Sequence, residues 1–204
     1  KSSKVETKKL DASDLAAVKK LAHGFDVTVS CVPYFFNLGL AKAAIEARTH
    51  FIDLGGNTDI VRSELALHDR AKKAGVTVIP DNGLGPGMIN TIAVAAMEKL
   101  DKTDEVLIRD GGLPQHPAPP LNYMLTFSVH GLINEYVEDA TALRDFKRVA
   151  VPGLSETESI DLPSPLGRCE AAHASGGLST MAWTYAGKVQ SMDNKLIRYP
   201  GHVT

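Results

Sequence analysis

The sequence has few of the features that mark disulfide-stabilised, zinc-binding or membrane-spanning proteins. It has only two cysteines, Cys31 and Cys169, and neither belongs to a CxxC pair or a Cys/His cluster. No disulfide framework or metal site is therefore predicted. The apolar runs are interrupted well short of about 18 residues, and no apolar signal segment opens the chain. A reducing cytoplasm is the location that this pattern favours.

The chain also lacks an excess of either charge. Lys and Arg together number 22 against 24 Asp and Glu, which leaves a formal net charge of −2. Such a balance gives no net field to hold a polyanion, so nucleic acid and acidic membrane are not expected partners. With 204 residues, the chain is long enough for one domain and part of another.

What the first half does contain is an alternation of short apolar strands and longer helices. Such alternation predicts parallel βαβ units and a partial Rossmann-type sheet. A weak alternation over residues 5–10 suggests one more strand, ending at Asp11. Strands are predicted over 26–32, 50–54 and 76–79, and helices over 15–22, 34–48, 59–74 and 88–100.

The texture changes near residue 104, where the regular alternation stops. The segments VLIRD, YMLTFSV, RVAV and GKVQ read as strands, and GLINEYVEDATAL contains a helix. We therefore predict two domains: a partial dinucleotide-binding domain over 1–103 and a mixed α+β substrate-binding and dimerisation domain over 104–204.

Polar or glycine-rich corners follow the predicted strands of the first half. Ligands of open parallel sheets bind outside the carboxyl ends of the strands, so these corners predict a binding rim. The alternative is that the Asp residues only cap helices and that the glycines only turn the chain; for NGLGPG the alternative is a rigid hinge. The corners are Asp11, residues 30–33, residues 53–57 and residues 81–87.

Several of these blocks together resemble the saccharopine dehydrogenase-like family. They are VSCVPYFFNLGLAKAAIEARTHFIDLGGN, IPDNGLGPGMIN, GGLPQHPAPPLNYMLTFSVHGLINEY, GGLST and LIRYPGH. Within the family, they look most similar to lysine 6-dehydrogenases. The resemblance implies an NAD- or NADP-dependent enzyme that exchanges a hydride at a carbon bearing an amine, with a second domain that forms the substrate site and a homodimer surface.

The resemblance also implies which residues would contact the cofactor. Asp11 and Ala12 would lie near the adenine, and a second group would lie near the ribose next to the nicotinamide and around the nicotinamide itself. The family's GxGxxG fingerprint has no counterpart here, so we expect it upstream of Lys1 and expect the chain to be incomplete at both ends. The second group is Cys31, Val32, Pro33, Asp53, Gly55, Gly56, Asn57, Gly83 and Leu84.

The substrate is predicted from two positions at which this sequence differs from the saccharopine reductases of the same family. Saccharopine reductases have a basic pair in the segment that reads NYMLTFSVHG here, where the matching positions are Met124 and His130. Loss of fixed cations argues against a multi-carboxylate substrate and favours lysine or a related amine. A saccharopine or carboxynorspermidine type of reductase, and a non-catalytic dimerising or ligand-binding remnant, are the alternatives.

Oxidation of an amine requires a group that orients and deprotonates it. Asp81, His130 and Glu135 are the catalytic candidates, and each could instead be a structural or solvated residue. Four further residues could bind the amine, carboxylate or amide groups of a substrate: Asn122, Tyr123, Asn134 and Arg198.

Overall fold

The computed structural model describes residues 4–203, and the chain divides into two compact units. Unit 1 comprises the residues up to Asp53 together with Asp59–Pro80. Unit 2 comprises Leu54–Thr58 and the residues from Asp81 onward. Residues 81–103 thus group with unit 2. The boundary near residue 104 stays a prediction for the functional domains.

Unit 1 is built on a three-stranded parallel sheet in the order β1-β2-β3, as the alternation predicts. Val27 pairs with His50, and Ile52 pairs with Ile79. The elements in chain order are α1 (Leu15–Ala22), β1 (Val27–Ser30), a 3-10 turn (Tyr34–Phe36), α2 (Asn37–Ala47), β2 (His50–Asp53), α3 (Thr58–Leu65), α4 (His68–Ala74) and β3 (Val78–Ile79).

Local sequence signals explain where these helices begin and end. The side chain of Asp14 accepts a hydrogen bond from the Ala17 amide at 3.0 Å and so caps α1. Gly75 has a φ of 73°, a left-handed conformation that glycine adopts without strain, and it ends α4. The small residues of α2 allow close packing against β2, and Phe51 is fully buried in the core between them.

Two predictions for unit 1 are wrong. Residues 5–10 form no strand, so Asp11 does not follow one; it begins the turn before α1. The helix predicted over 59–74 is two helices, because the chain turns at Ala66 and Leu67. This break lets Leu67 join the apolar core beside Ala71.

Unit 2 contains a six-stranded mixed sheet in the order β6-β5-β9-β8-β7, with β4 pairing in parallel with β9. The pattern of a parallel unit followed by a mixed α+β unit confirms the predicted fold class. The elements are α5 (Met88–Met97), β4 (Glu105–Asp110), α6 (Val129–Val137), β5 (Ala140–Arg144), β6 (Lys147–Val151), β7 (Glu158–Leu162), β8 (Gly167–His173), α7 (Met181–Thr184) and β9 (Ser191–Arg198).

The two faces of β9 have different chemistry, because successive side chains of a strand point to opposite faces. Asn194, Leu196 and Arg198 share one face with Asp110 of β4. Asp193 lies on the other face. There its carboxylate oxygens lie 2.7 Å from a guanidinium nitrogen of Arg109 and 3.2 Å from one of Arg144.

Two strand predictions for this half are wrong as well. Residues 123–128 are irregular, and Val129 already belongs to α6, whose first turn begins after the capping residue Ser128. Met124, Leu125 and Phe127 are exposed, and within residues 4–203 no strand pairs with this segment. The segment GKVQ at 187–190 precedes β9 and is not part of it. Within residues 4–203, no helix combines the length and the apolar character needed to cross a membrane.

Candidate active site

Unit 2 gathers titratable and aromatic side chains around the end of β9. We call this group the Glu135–Arg198 cluster. The guanidinium carbon of Arg198 lies 4.6 Å from the centre of the Tyr123 ring and 5.7 Å from that of Tyr136. Arg198 is 3 % exposed, so its charge is held away from water between two rings. The members of the cluster are Asp110, Tyr123, Glu135, Tyr136, Arg198 and His202.

A directional chain of hydrogen bonds fixes the orientation of Arg198. Its Nε donates to the hydroxyl oxygen of Tyr136 at 2.9 Å, and that hydroxyl lies 2.8 Å from Nε2 of His202. Nδ1 of His202 lies 2.8 Å from the carbonyl oxygen of Leu121, which can only accept. Nδ1 of His202 therefore donates a proton to that carbonyl, and in the neutral ring Nε2 accepts the hydroxyl proton of Tyr136.

Glu135 brings a carboxyl group of unusual basicity to the cluster. Burial raises its pKa from 4.5 to about 7, against the opposing effect of the nearby Arg198 charge. Its Oε2 is buried and lies 4.0 Å from a guanidinium nitrogen of Arg198, too far for a hydrogen bond; within residues 4–203 this oxygen has no hydrogen-bond partner. The backbone of Glu135 is fixed, because its carbonyl accepts from the Ser175 amide at 3.0 Å. Glu135 can therefore exchange a proton near neutral pH.

Asp110 adds a second carboxyl group from the end of β4. Its Oδ1 accepts from the side-chain amide of Asn194 at 2.8 Å. Burial raises the pKa of Asp110, partly offset by that hydrogen bond and by the Arg198 charge. A Cβ atom added to Gly85 would collide with Oδ2, so the backbone of the NGLGPG loop lies against this carboxyl group.

Asn134, a predicted substrate-binding residue, is buried and bonded within the protein. Its Nδ2 donates to the carbonyl of Gly56 at 3.0 Å, and its Oδ1 accepts from Nδ2 of Asn57 at 3.0 Å. These bonds tie α6 to residues 54–58. Asn134 therefore has a structural function, and its predicted contact with a substrate stays a prediction.

Asp81, a catalytic candidate, is also buried within unit 2. Its Oδ2 accepts from the hydroxyl of Ser179 at 2.5 Å, and its own φ is 55°. A Cβ on Gly55 would overlap Oδ1 of Asp81, so that position accepts only glycine without rearrangement. Asp81 thus connects residues 54–58 to the turn at Ser179, and its catalytic function stays a prediction.

The glycines of the NGLGPG loop are explained by close backbone approach within the loop and to its neighbours. A Cβ on Gly87 would collide with the backbone of Gly83, and one on Gly83 would lie 2.7 Å from the carbonyl oxygen of Leu54. The side chain of Leu84 remains exposed. Gly83 and Leu84 stay predicted cofactor contacts, with Leu84 offering an accessible apolar surface.

The cofactor candidates of unit 1 differ in accessibility. Oδ1 of Asp11 accepts from the amide and the hydroxyl of Ser13, which lowers the pKa of Asp11, and the residue is exposed. Cys31 and Val32 are exposed beyond β1, whereas Asp53 is fully buried. The corner that contains Cys31 is fixed by a buried hydrogen bond of 2.7 Å from Ser30 to Asn37.

A nucleotide cofactor fits this chemistry in part. Exposed Asp11, Cys31 and Val32 offer a carboxylate acceptor and an accessible thiol and isopropyl group to a ribose or a ring, and Ala12 and Pro33 are partly accessible. Asp53 would not reach a ligand without rearrangement. The direct contacts of unit 1 are therefore expected from the residues after β1 and from the turn at Asp11.

His130 and Asn122 lie at the edge of the predicted substrate region. His130 is exposed in the first turn of α6. Asn122 has a φ of 50°, and its Nδ2 donates to the carbonyl of Pro200 at 3.5 Å. Neither belongs to the Glu135–Arg198 cluster, whereas the structure brings Tyr123, Glu135 and Arg198 together.

Three members of this cluster were not predicted from the sequence: Asp110, Tyr136 and His202. Two of them stand inside blocks that carry the family resemblance, namely GLINEY and LIRYPGH. Asp110 is the last residue of a predicted strand and directly precedes Gly111 and Gly112. A polar residue at a strand end before a glycine pair was the available signal.

Comparison with protein families gives matches over both units. The model described as "Saccharopine dehydrogenase NADP binding domain" matches residues 1–79, and the one described as "Saccharopine dehydrogenase C-terminal domain" matches residues 83–204. The two matches together cover nearly the whole chain, and the second alone covers more than half of it.

Individual relatives agree with these matches. The chain is 29% identical over 150 residues to saccharopine dehydrogenase [NADP(+), L-glutamate-forming] of Pyricularia oryzae, which covers 71% of this chain and 33% of that protein. It is 30% identical over 144 residues to the mitochondrial alpha-aminoadipic semialdehyde synthase of Mus musculus, covering 68% of this chain and 15% of that protein. The chain therefore spans a third or less of the length of these two relatives.

A solved structure of similar fold is the apo saccharopine dehydrogenase (L-Glu forming) from Saccharomyces cerevisiae. The TM-score is 0.70 at 24% sequence identity, and the match covers 95% of this chain and 45% of that one. This likeness supports the fold described above.

Proposed function

Because this chain belongs to the saccharopine dehydrogenase family, we propose that the protein transfers a hydride between NADP and a carbon that bears an amine in an amino-acid substrate. NADP is proposed over NAD because the matched family model is that of an NADP-binding domain. The observation that supports the reaction most directly is the Glu135–Arg198 cluster, which combines a fixed cation with a carboxyl group whose pKa is about 7.

Glu135 is the proposed proton acceptor. An amine must be neutral before its carbon can lose a hydride, and a general base works best when its pKa is close to the working pH. Glu135 is buried, which raises its pKa, and its Oε2 has no hydrogen-bond partner in the described part of the chain. That atom can therefore take the proton of a substrate ammonium.

Arg198 and the two tyrosines are proposed to orient the substrate. The guanidinium is held between the rings of Tyr123 and Tyr136 and by the hydroxyl of Tyr136, so it cannot rotate away. Its Nη2 points towards Glu135. A substrate carboxylate could share this nitrogen through a charge-assisted hydrogen bond.

NADP, when bound, supplies the hydride acceptor or donor of the reaction. In unit 1, the exposed Asp11, Cys31 and Val32 are the residues proposed to hold it. Of the cofactor candidates in unit 2, Leu84 has an accessible side chain. Gly56 has a φ of 117°, and its carbonyl accepts a hydrogen bond from Asn134.

Lysine or a lysine-like amine is our proposed substrate, oxidised to its semialdehyde. Support comes from the uncharged Met124 at a position where the saccharopine reductases are expected to have a cation, and from the two carboxyl groups of the cluster. A saccharopine or carboxynorspermidine type of reductase is the second candidate, since the relatives include saccharopine dehydrogenases. The reductive direction would use the same cluster with a protonated Glu135.

The experiment is a spectrophotometric assay of the full-length protein. NADPH formation with lysine is compared with NADPH consumption with 2-aminoadipate semialdehyde and glutamate. We expect lysine-dependent reduction of NADP+, with kcat/KM rising as the pH increases through about 7. Glu135→Gln should lower kcat at least 100-fold, and Glu138→Gln, at the exposed residue that follows α6, is the matched control. No reduction of NADP+ with lysine, together with efficient saccharopine formation, would contradict the lysine proposal.

A non-catalytic remnant is the remaining alternative. Calorimetric titration of the 204-residue chain with NADP+ tests it. Micromolar binding contradicts a remnant. Absence of NADP+ binding by the full-length protein would instead support it.

We also propose that the protein is a homodimer in a reducing, cytoplasmic compartment. Val129, Ile133 and Val137 lie at intervals of four residues along α6, and more than half of each side chain is exposed. Cys31 and Cys169 are both free thiols. Light scattering should give twice the chain mass, and Ile133→Glu should give the single mass. Leu100→Glu, at an exposed apolar residue away from α6, is the control.

A further inference from the structure

We propose that Asp110 is a specificity-determining residue, which with Glu135 makes the cluster a receptor for a cationic amine. This inference rests on the proposed function, because it concerns the same site. It assigns to Asp110 the recognition of a substrate ammonium, either the side-chain ammonium of an amino acid or one end of a diamine.

The first argument is the charge balance of the cluster. The charge of Asp110 raises the pKa of Glu135, and the charge of Arg198 lowers the pKa of both carboxyl groups. One cation therefore faces two carboxyl groups. When both are ionised, the cluster has one net negative charge. An arriving ammonium would neutralise that charge, whereas an additional carboxylate would have to compete with two existing ones for a single guanidinium.

The second argument is that the carboxyl oxygens of Glu135 and Asp110 receive fewer hydrogen bonds than they can accept. Oε2 of Glu135 is buried 4.0 Å from Arg198, and no other described residue gives it a hydrogen bond. Buried carboxylate oxygens are stable only when bonded. Asp110 receives one bond, from Asn194, although its side chain is also largely buried. An ammonium has three donors, and it can bond to Oε2 and to a second carboxylate oxygen at once.

The third argument is that the carboxyl group of Asp110 is fixed in place. Asn194 holds Oδ1 from the neighbouring strand, in the register that pairs Ile108 with Asn194 and Asp110 with Leu196. Gly85 leaves the space that Oδ2 occupies, because a Cβ there would collide with it. The backbone of the NGLGPG loop thus accommodates the side chain of Asp110. A carboxyl group held on two sides is preorganised to recognise a ligand.

The test measures binding independently of turnover, by calorimetry on the full-length protein. The probes are lysine, 1,5-diaminopentane and norleucine, in which a methyl group replaces the side-chain ammonium. The wild type should bind lysine at least tenfold more tightly than norleucine. Asp110→Asn should weaken lysine binding about tenfold or more and leave norleucine binding unchanged. The isosteric amide can still accept the Asn194 bond, and Asp104→Asn at an exposed ion pair is the control.

Binding of an anion in place of an ammonium provides a second measurement. In the double variant Asp110→Asn, Glu135→Gln, the guanidinium of Arg198 stands without carboxylates. That variant should bind glutarate at least tenfold more tightly than the wild type does. A merely structural function of Asp110 would not produce this gain. Preference for 1,5-diaminopentane over lysine identifies a diamine as the source of the ammonium, and the opposite preference identifies an amino acid.

Two outcomes would overturn the inference. One is equal affinity of the wild type for lysine and norleucine, and the other is unchanged lysine affinity in Asp110→Asn. If lysine is oxidised but Asp110→Asn binds it normally, the inference fails and the proposed function stands. If lysine binding depends on Asp110 but no NADP+ is reduced, the proposed function fails and the inference stands.

Discussion

Nδ2 of Asn134 donates to the carbonyl oxygen of Gly56 at 3.0 Å, across a sequence separation of 78 residues. Gly56 has a φ of 117°, a conformation open to glycine, and its carbonyl is turned to face the helix. Because Oδ1 of Asn134 also accepts from Asn57, one buried amide holds both residues of this turn.

Replacing this amide should destabilise unit 2. In Asn134→Leu the volume is retained, but the Gly56 carbonyl and the Asn57 side-chain amide each lose their hydrogen bond to Asn134. Unsatisfied buried polar groups cost about 1–3 kcal/mol each, so the loss of two such bonds should lower the free energy of unfolding by about 2–6 kcal/mol. Urea denaturation measures the change. The exposed Asn82→Leu is the control, and equal stability of the two variants would contradict the structural function of Asn134.

Gly85 and Asp110 should behave as a coupled pair. Gly85→Ala introduces a Cβ that collides with Oδ2 of Asp110 and lies 2.9 Å from Cδ1 of Ile89. We expect a loss of about 1–3 kcal/mol in the free energy of unfolding. In an Asp110→Ala background the loss should shrink by at least about 0.5 kcal/mol. Gly112→Ala is the control, since no atom lies within 4 Å of its added Cβ. If the losses in free energy of unfolding caused by Gly85→Ala and Asp110→Ala were additive, the predicted collision between the two residues would be contradicted.

The raised pKa of Glu135 predicts a pH-dependent stability difference. Its folded-state pKa of about 7 exceeds the ordinary value of 4.5, so the folded state retains a proton that the unfolded state loses between these values. The favourable contribution is complete below pH 4.5 and is lost as the pH rises through 7. Each pH unit in that window corresponds to at most about 1.4 kcal/mol.

Glu135→Gln removes this titration. The variant should therefore become more stable relative to the wild type as the pH is raised from 5 to 8. Thermal unfolding at each pH measures the difference, with Glu138→Gln, at the exposed residue after α6, as the control. A difference between wild type and Glu135→Gln that does not change with pH would show that the carboxyl group has an ordinary pKa.

The hydroxyl of Tyr136 is predicted to fix Arg198. Tyr136→Phe removes the acceptor of Arg198 Nε and the donor to His202 Nε2 while it keeps the ring beneath the guanidinium. We expect a loss of about 1–3 kcal/mol in stability and, with the proposed substrate, a rise in KM. Tyr185→Phe, for which no hydroxyl hydrogen bond was found among residues 4–203, is the control. Equal KM values for the two variants would contradict an orienting function.

Asp193 should be one of the most sensitive charges of unit 2. Its carboxylate, 4 % exposed, lies between the guanidinium groups of Arg109 and Arg144. Asp193→Asn leaves the guanidinium groups without their shared anion, and removing one partner of a buried pair costs about 3–5 kcal/mol. Asp161→Asn, at an exposed ion pair with Arg168, should change stability by less than about 1 kcal/mol. Chemical denaturation distinguishes the two.

Local patterns predicted unit 1 well, because its elements are consecutive in the sequence. The dense valines before Ser30 and the apolar helix after Pro33 predicted β1 and α2 correctly. The single helix over 59–74 was wrong, because Leu67 enters the core only when the chain turns there. Periodicity does not report such a turn.

Unit 2 was harder to predict, because its contacts join distant residues. Asp110 meets Asn194 only because β4 pairs with β9, and nothing in VLIRD indicates that partner. The segment YMLTFSV has the apolar residues of a strand but has no strand beside it. Arg198, Glu135 and Tyr123 were predicted as site residues from the family resemblance and their residue types, and the structure brings these three side chains together.

Residues 54–58 belong to unit 2, although the segments on both sides of them belong to unit 1. A fragment that begins at Asp81 would therefore lack residues 54–58. This turn contacts both Asn134 and the carboxyl group of Asp81. A fragment cut at Asp81 would expose the surface that residues 54–58 cover in the whole chain. A short peptide with the sequence LGGNT, added in trans, is the piece that such a fragment would need to recover its native stability.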